Sequence, residues 1–171
     1  MFIQGGITLK GVVAFDSVHG NTKRVAEAIA EELTAAGHQV EVLNLKEQVP
    51  PEVTGDIMFI GSPTRVGKMT RQTRDFIENL DTGKWSGRTI VAFDTVGPLS
   101  KDPAKREQAL SSIGQSPRTA AHTIQEVALS RGLTISPEAM HIAVVGMWGP
   151  LAPDALDMAK QRTRHYLEQL K

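Results

Sequence analysis

The stretch Asp16-Ser17-Val18-His19-Gly20-Asn21-Thr22-Lys23-Arg24 lies between the apolar run 7–15 and an alanine-rich segment with helical periodicity. This order predicts a strand, a turn with hydroxyl groups and a glycine, and a helix over 21–36. The first amides of a helix have no partner within it, and the helix dipole places positive charge at the same end. The turn is therefore suited to bind a phosphate, although the same residues would also serve as a plain helix-capping turn.

Apolar runs and helical segments alternate along the rest of the chain. We predict strands at 7–15, 38–45, 56–61, 87–95 and 140–145. Val40 and Val42 are expected to face the core from the second of these, which is predicted to be an edge or half-covered strand. One helix should bury Met69, Thr73, Phe76, Ile77 and Leu80, and a terminal helix over 154–170 should bury Leu156, Ala159, Thr163, Leu167 and Leu170. The alternation predicts a single α/β domain over 1–171, with a parallel sheet covered on both faces.

Residues 97–117 are less regular and are predicted to be an insertion after the fourth strand. Asp102-Pro103 and Gly114 carry the start and stop signals of a short helix. Ser116-Pro117 then opens a further helix that is expected to end at Gly132.

Composition excludes several classes of function. Lys and Arg number 19, as do Asp and Glu, so no overall field favours nucleic acid. There is no cysteine, which excludes disulfides and thiolate chemistry, and no metal-ligand constellation stands out. No run approaches the ~20 apolar residues that span a bilayer, and residues 1–6 lack the features of a signal peptide. We therefore expect no membrane insertion and a cytoplasmic location.

Ligands of parallel α/β sheets bind beyond the carboxyl ends of the strands, at the point where the strand order reverses. Three loops are predicted at that edge: residues 16–22, 62–68 and 95–100. We expect the ligand site to lie among them.

These loops carry a resemblance to a known family. The first loop resembles the phosphate loop of flavodoxin-like proteins. The stretch Gly61-Ser62-Pro63-Thr64-Arg65-Val66-Gly67-Lys68-Met69, with Gln72, Phe76 and Trp85, more closely resembles the WrbA family of flavin-dependent NAD(P)H:quinone oxidoreductases. Phe93-Asp94-Thr95-Val96-Gly97 is similar to the third flavin loop of either group. The resemblance implies a flavodoxin-like three-layer sandwich with a five-stranded parallel sheet in the order 2-1-3-4-5.

The resemblance also implies non-covalent FMN and electron transfer, with NAD(P)H as donor and a quinone as acceptor in the enzyme version. The phosphate would be held by Ser17, His19, Gly20, Asn21 and Thr22. The flavin ring would be flanked by Pro63, Thr64, Arg65, Val66, Gly67 and Lys68 from the second loop and by Thr95, Val96, Gly97 and Pro98 from the third. Arg65 or Lys68 could stabilise the negative charge that reduction places on the ring, or both could simply point to solvent.

The chain departs from the flavodoxin pattern in two ways. Its second and third loops contain no aromatic residue to stack on a flavin, so Trp85, Trp148 or a neighbouring subunit in a homo-oligomer would have to supply one. It also lacks the net acidic charge of electron-carrier flavodoxins. Two alternatives to the enzyme therefore stay open: a carrier that exchanges electrons with protein partners, and an interaction module on the same fold without flavin.

Overall fold

The computed structural model describes residues 6–146 and 148–170. The segment 1–6, where the sequence predicts no signal peptide, lies almost wholly outside them. The strands are β1 (Lys10–Phe15), β2 (Gln39–Asn44), β3 (Ile57–Pro63), β4 (Thr89–Val96) and β5 (Met140–Ala143). The helices are α1 (Asn21–Ala35), α2 (Arg71–Glu78), α3 (Pro103–Ile113), α4 (Ala120–Ser130) and α5 (Ala155–Gln169).

The five strands form one parallel sheet in the order β2-β1-β3-β4-β5. The predicted order 2-1-3-4-5 is confirmed. β1 pairs with β2 on one side and with β3 on the other, so the strand order reverses at β1. The carboxyl ends of β1 and β3, which carry the first and second loops, are therefore neighbours at the switch point.

Two apolar layers cover the sheet. Val13 and Phe59 belong to the layer that contains the buried face of α1, whereas Val12 and Met58 belong to the layer beneath α2 and α4. Neighbouring residues of one strand thus enter opposite layers, as the pleat of a strand requires. All four side chains are fully buried, which explains why these strands are predicted from continuous apolar runs.

The prediction of an edge or half-covered strand at 38–45 is confirmed, because β2 forms one edge of the sheet, but its two valines are less covered than expected. Val42 is 45% exposed, whereas Leu43, on the opposite face, is buried. Val40 is only partly buried against its layer. β2 forms the edge of the sheet, where helix coverage ends, so the alternation of valines does not mark a fully covered face.

Helix ends and faces differ from the prediction at two places. α4 begins at Ala120 rather than at Pro117, because the Thr119 side chain accepts a hydrogen bond from His122 N and caps the helix there. In α5, Leu170 is 39% exposed, and Leu156 and Leu167 are only partly buried. Leu156 and Leu167 still pack against the core from its margin, whereas Leu170 follows the last residue of α5.

The short helix predicted in the insertion is present as α3. The Asp102 side chain accepts a hydrogen bond from Lys105 N, Pro103 opens the helix and Gly114 follows it. Arg106 is nearly buried and donates to the carbonyl oxygens of Ser100 and Lys101, which fixes the start of the segment.

No helix in the described part of the chain combines the length and apolar character needed to cross a membrane.

Candidate functional site

A cavity of about 260 Å³ opens at the carboxyl ends of β1, β3 and β4. It is lined by residues from all three predicted loops. The predicted site residues that line it are Ser17, His19, Asn21, Thr22, Pro63, Thr64, Arg65, Thr95, Gly97 and Pro98.

Five predicted site residues do not line this cavity: Gly20, Val66, Gly67, Lys68 and Val96. Val96 is buried in the sheet, and Gly20 forms the N-cap of α1 with a φ of 91°. Val66, Gly67 and Lys68 form the outer part of the second loop, beside the cavity rather than inside it.

The first loop presents hydrogen-bond donors toward the cavity. Ser17 Oγ accepts hydrogen bonds from the amides of Gly20 at 3.1 Å and Lys23 at 3.3 Å, which leaves its own proton available to donate. Asn21 and Thr22 open α1, where amides have no acceptor within the helix. An added Cβ at Gly20 would meet nothing within 4 Å, so the turn is open on that side. This set of donors fits a bound phosphate.

Asp16 is kept away from the cavity. Its side chain is fully buried, and its Oδ1 pairs with the Lys46 ammonium group. Its Oδ2 has no hydrogen-bond partner among the described residues. The Asp16 carboxylate therefore adds no negative charge to the lining of the cavity.

Hydrogen bonds join the third loop to the other two. Thr22 Oγ1 and Thr95 Oγ1 lie 3.0 Å apart, and both residues are buried. Thr64 N donates to the Thr95 carbonyl oxygen at 2.9 Å. Thr95 therefore fixes the first and second loops at the same point of the sheet edge.

Asp94, on β4, positions the second loop through Thr64. Its fully buried carboxylate accepts hydrogen bonds from Ala121 N at 2.9 Å and from Thr64 Oγ1 at 3.3 Å. Its other oxygen lies 2.9 Å from Nδ1 of His141 on β5. Thr64 Oγ1 in turn accepts from Ala120 N at 3.0 Å. Thr64 is thus positioned by β4, by β5 through His141, and by the first turn of α4.

The second loop is a tight hairpin. Arg65 N donates to Lys68 O at 2.8 Å, and Lys68 N donates to Arg65 O at 3.1 Å. Val66 and Gly67 at its tip have φ angles of 52° and 76°, as a type I′ turn requires at both central positions. A β-branched residue at positive φ is unusual and strained. The hairpin amides of Arg65 and Lys68 are used within the loop, so only those at the tip remain for a ligand.

A fourth loop, which was not among the three predicted loops, completes the cavity. Val144 and Leu151 form an antiparallel bridge, and Trp148 lies in the excursion between them. Trp148 lines the cavity, 68% of its surface is exposed, and its ring centroid lies 5.6 Å from that of His19. The loop also touches the first loop, because an added Cβ at Gly149 would lie 3.1 Å from Asn21 Oδ1.

Val18 and Val144 also line the cavity without having been predicted. The loop after β5 could have been found from the rule that carboxyl-end loops share one edge, since Gly146, Gly149 and Pro150 mark a turn directly after a strand.

Trp85 is not available to the cavity. It is fully buried, and its Nε1 donates to the Val53 carbonyl oxygen at 2.8 Å beneath the opposite layer of the sheet. Trp148 is therefore the tryptophan placed to contact a ligand there.

Two larger cavities lie elsewhere and contain none of the predicted site residues. One of about 500 Å³ lies between residues 45–53 and the end of α2. The other, of about 700 Å³, opens beside β5 and is lined by His122, His141 and His165 among others. The smaller cavity at the switch point is nevertheless the better candidate site, because the first amides of α1 and three hydrogen-bonded loops meet there.

Sequence comparison identifies the family. The family model described as a flavodoxin domain matches residues 12–135, a span that contains most of β1, all of β2 to β4 and the first three loops. The chain belongs to the flavodoxin domain family. The resemblance to flavodoxin-like proteins is thereby confirmed, and membership of the flavodoxin domain family implies a flavin, FMN, as cofactor.

Individual relatives agree with the family. A protein of Methanosarcina barkeri named NAD(P)H dehydrogenase (quinone) is 31% identical over 109 residues, covering 46% of this chain and 52% of the relative. A flavodoxin of Aquifex aeolicus is 29% identical over 93 residues, covering 52% of this chain and 50% of the relative. This chain thus spans about half the length of each.

The fold is also shared with solved structures. Oxidised flavodoxin 1 from Bacillus cereus superposes with a TM-score of 0.66 at 17% identity, covering 95% of this chain and 99% of that one. At this level of identity the likeness shows the flavodoxin fold alone.

The residues of the cavity fit FMN in their donor chemistry. The Ser17 hydroxyl and the first amides of α1 suit its phosphate, while Trp148, Pro63 and Pro98 offer apolar surface at the same cavity for a flat ring.

Proposed function

We propose that this flavodoxin-family chain binds FMN non-covalently and transfers electrons through it. The observation that carries the proposal is the cavity at the switch point, where the Ser17 hydroxyl and the first turn of α1 face the loops of β3 and β4. Bound FMN accepts electrons from one partner and passes them to another. The protein supplies binding, orientation and charge.

Each part of the cavity has a separate task in this proposal. Ser17, Asn21 and Thr22 hold the phosphate with hydroxyl and helix-terminal donors. Thr95, bound to Thr22 and Thr64, fixes the distance between the phosphate end and the ring end. Trp148 lines the cavity and offers its indole ring to the flat ring of the flavin.

Arg65 supplies charge to the ring end of the cavity. It lines the cavity, whereas Lys68 does not, so Arg65 is the better placed of the two predicted cations. A guanidinium group near the ring stabilises the negative charge that accompanies reduction.

An FMN titration with tryptophan emission tests the proposal. Trp85→Phe leaves Trp148 at the cavity as the remaining tryptophan, and Trp148→Phe leaves only the buried Trp85. We expect FMN to quench the emission of the Trp85→Phe protein strongly and that of the Trp148→Phe protein much less. Equal quenching in both variants contradicts the location of the site. Absence of FMN uptake by the wild-type protein, measured by its absorption spectrum, contradicts the function and leaves the flavin-free interaction module.

A second candidate makes the protein an enzyme that passes electrons from NAD(P)H through FMN to a quinone. Arg65 at the cavity supports it, as do relatives that carry the name NAD(P)H dehydrogenase (quinone). Rapid bleaching of the flavin by NADH or NADPH, followed by reoxidation with a quinone, selects this enzyme. A flavin that is inert to both nucleotides selects an electron carrier.

For the chain as a whole we propose a single flavodoxin-like domain over 1–171 in which 97–117 is an insertion. α3 and its caps support this division, since they stand between β4 and α4 without adding a strand. A homo-oligomer remains open, and light scattering of the purified protein measures it.

A further inference from the structure

Basic side chains divide into two groups. Away from the cavity, exposed lysines and arginines lie within ion-pair distance of carboxylates, as in Arg74–Glu78, Lys84–Glu52, Arg88–Asp56, Lys160–Glu31 and Arg164–Glu32. Arg131 and Arg162 are partly buried and donate to backbone carbonyl oxygens instead. The exposed basic side chains with no carboxylate partner among the described residues are Lys23, Arg24, Arg65, Lys68, Lys101, Lys105 and Arg118. These seven exposed residues lie in the first turn of α1, in the second loop, or in the segment from the third loop to the start of α4. The overall balance of charge therefore conceals a local excess of positive charge on the second loop, which carries Arg65 and Lys68 and no acidic residue.

The second loop concentrates this charge. Arg65 and Lys68 exchange both backbone hydrogen bonds, so they are a directly opposed cross-strand pair. Like charges in that position destabilise a hairpin. Arg118 lies across the same loop, because an added Cβ at Gly67 would come within 3.2 Å of its Nε. We call Arg65, Lys68 and Arg118 the basic rim.

A second unfavourable placement occurs at α1. Its first turn contains Lys23 and no acidic residue, although the positive end of the helix dipole favours acidic side chains there. The only acidic residue in the three predicted loops is Asp16, which is buried and paired with Lys46. Positive charge therefore occurs at the carboxyl edge of the sheet in two places where it lowers local stability: the Arg65–Lys68 pair and the first turn of α1.

Exposed apolar side chains lie beside the basic rim. Val66, at the tip of the hairpin, is 86% exposed, and Trp148, which lines the cavity, is 68% exposed. An aromatic or aliphatic centre surrounded by charged residues is the anatomy of a protein–protein docking site. A single exposed valine is ordinary on a protein surface. Val66 is unusual because its backbone is strained and because it lies between two unpaired cations, which suits a residue that contacts a partner.

We propose that the basic rim, with Val66 and Trp148, is the docking surface for an acidic electron-carrying protein. This inference rests on the proposed function, since the docked protein would exchange electrons with the flavin cavity that the rim surrounds. Charge complementarity selects an acidic partner. A dinucleotide is a poorer fit, because within the basic rim only Arg65 lines the cavity and the apolar tip at Val66 would remain in water.

The test measures binding, with an acidic [2Fe–2S] ferredoxin as the probe. Its dissociation constant with the FMN-loaded wild-type protein is measured by calorimetry at about 50 mM and about 500 mM salt, because a Debye length of roughly 10 Å at 0.1 M leaves the attraction partly unscreened only at the lower value. The rim variant is Lys68→Glu/Arg118→Glu, and neither residue lines the cavity. The control is Lys160→Glu/Arg164→Glu, which makes the same change in net charge on α5.

We expect the rim variant to bind the probe on the order of tenfold more weakly at low salt, a loss that largely disappears at high salt, while the control retains wild-type affinity. Val66→Asp should add to the loss. No binding by the wild-type protein, or an equal loss in rim and control variants, overturns the proposal. If the rim variant loses affinity for NADPH but not for the probe, the basic rim binds a dinucleotide and the proposed protein partner is wrong. FMN uptake is measured separately in every variant, so failure of the docking surface is distinguished from failure of the flavin site.

Discussion

Thr22 Oγ1 and Thr95 Oγ1 lie 3.0 Å apart and form a buried hydrogen bond between residues that are 73 positions apart in the chain. Thr95→Val keeps the shape of the side chain but leaves the Thr22 hydroxyl unsatisfied. An unsatisfied buried polar group costs ~1–3 kcal/mol. We expect a loss of about that size in the free energy of unfolding by urea, together with weaker FMN binding.

The double variant Thr22→Val/Thr95→Val provides the control for this pair. Replacing both partners by apolar groups of the same shape is nearly neutral, so part of the stability should return while FMN affinity stays low. Thr134→Val, at an exposed position, should change neither property. If Thr95→Val were as stable as the wild-type protein, the hydroxyl pair would have no role in joining the loops.

Arg65 lines the cavity in which we propose that FMN binds, so its charge should raise the reduction potential of the bound FMN. Arg65→Ala is expected to lower the midpoint potential by about 30 mV, the two-electron equivalent of 1.4 kcal/mol. Arg65→Lys should restore most of the difference, because it returns the charge. A potentiometric titration of the three FMN-loaded proteins measures this, and an unchanged potential in Arg65→Ala means that the guanidinium group points away from the ring.

Val66 has a φ of 52°, and it is the only residue other than glycine with a positive φ in the described part of the chain. Val66→Asn should raise the free energy of unfolding by ~1 kcal/mol, since asparagine tolerates this conformation and Asn-Gly is the preferred pair in a type I′ turn. Val18→Asn, an exposed valine without positive φ, should bring no gain. A destabilised Val66→Asn protein would show that the tip packs on something that the exposure of Val66 does not reveal.

His38 gives the protein a defined dependence of stability on pH. Its Nδ1 accepts a hydrogen bond from Leu9 N at 3.1 Å, and burial lowers the pKa of its imidazole from the ordinary 6.5. The unfolded chain therefore binds this proton more readily than the folded chain. The contribution of the neutral ring is complete above the unfolded pKa and is lost as the pH falls through 6.5 toward the folded pKa.

Urea unfolding between pH 5 and 8 of the wild-type protein and of His38→Asn measures this contribution. Asparagine can keep an acceptor for Leu9 N but does not titrate. We expect the wild-type protein to lose stability relative to the variant as the pH falls below about 6.5. Parallel curves for the two proteins would remove His38 as the source.

Much of the fold follows from local pattern. Strands such as β1 and β3 are buried on both faces, so they are apolar without interruption and easily predicted. α3 is marked by caps alone, and Asp102 does cap it. Val42 and Leu170 were misassigned because both lie where the sheet or helix extends beyond the layer that covers it, and no local pattern records that limit.

The candidate site was predictable only in part. Residues on the loops after β1, β3 and β4 could be selected because parallel strands end at one edge. The sequence could name Trp85 and Trp148 as candidate flavin contacts but could not choose between them. The position of Trp148 near His19 depends on how the chain turns back between Val144 and Leu151. The support of Thr64 by Asp94 and His141 was likewise hidden, because three strands and loops must assemble before those atoms meet.

The segregation of unpaired cations gives a chain of zero net charge an electric polarity. Its isoelectric point near 7 suggests a protein indifferent to charged surfaces. A molecule with an excess of unpaired positive charge at one edge instead rotates in the field of an acidic surface and presents that edge first. At neutral pH it should be retained on a cation-exchange resin through the edge where the flavin cavity opens.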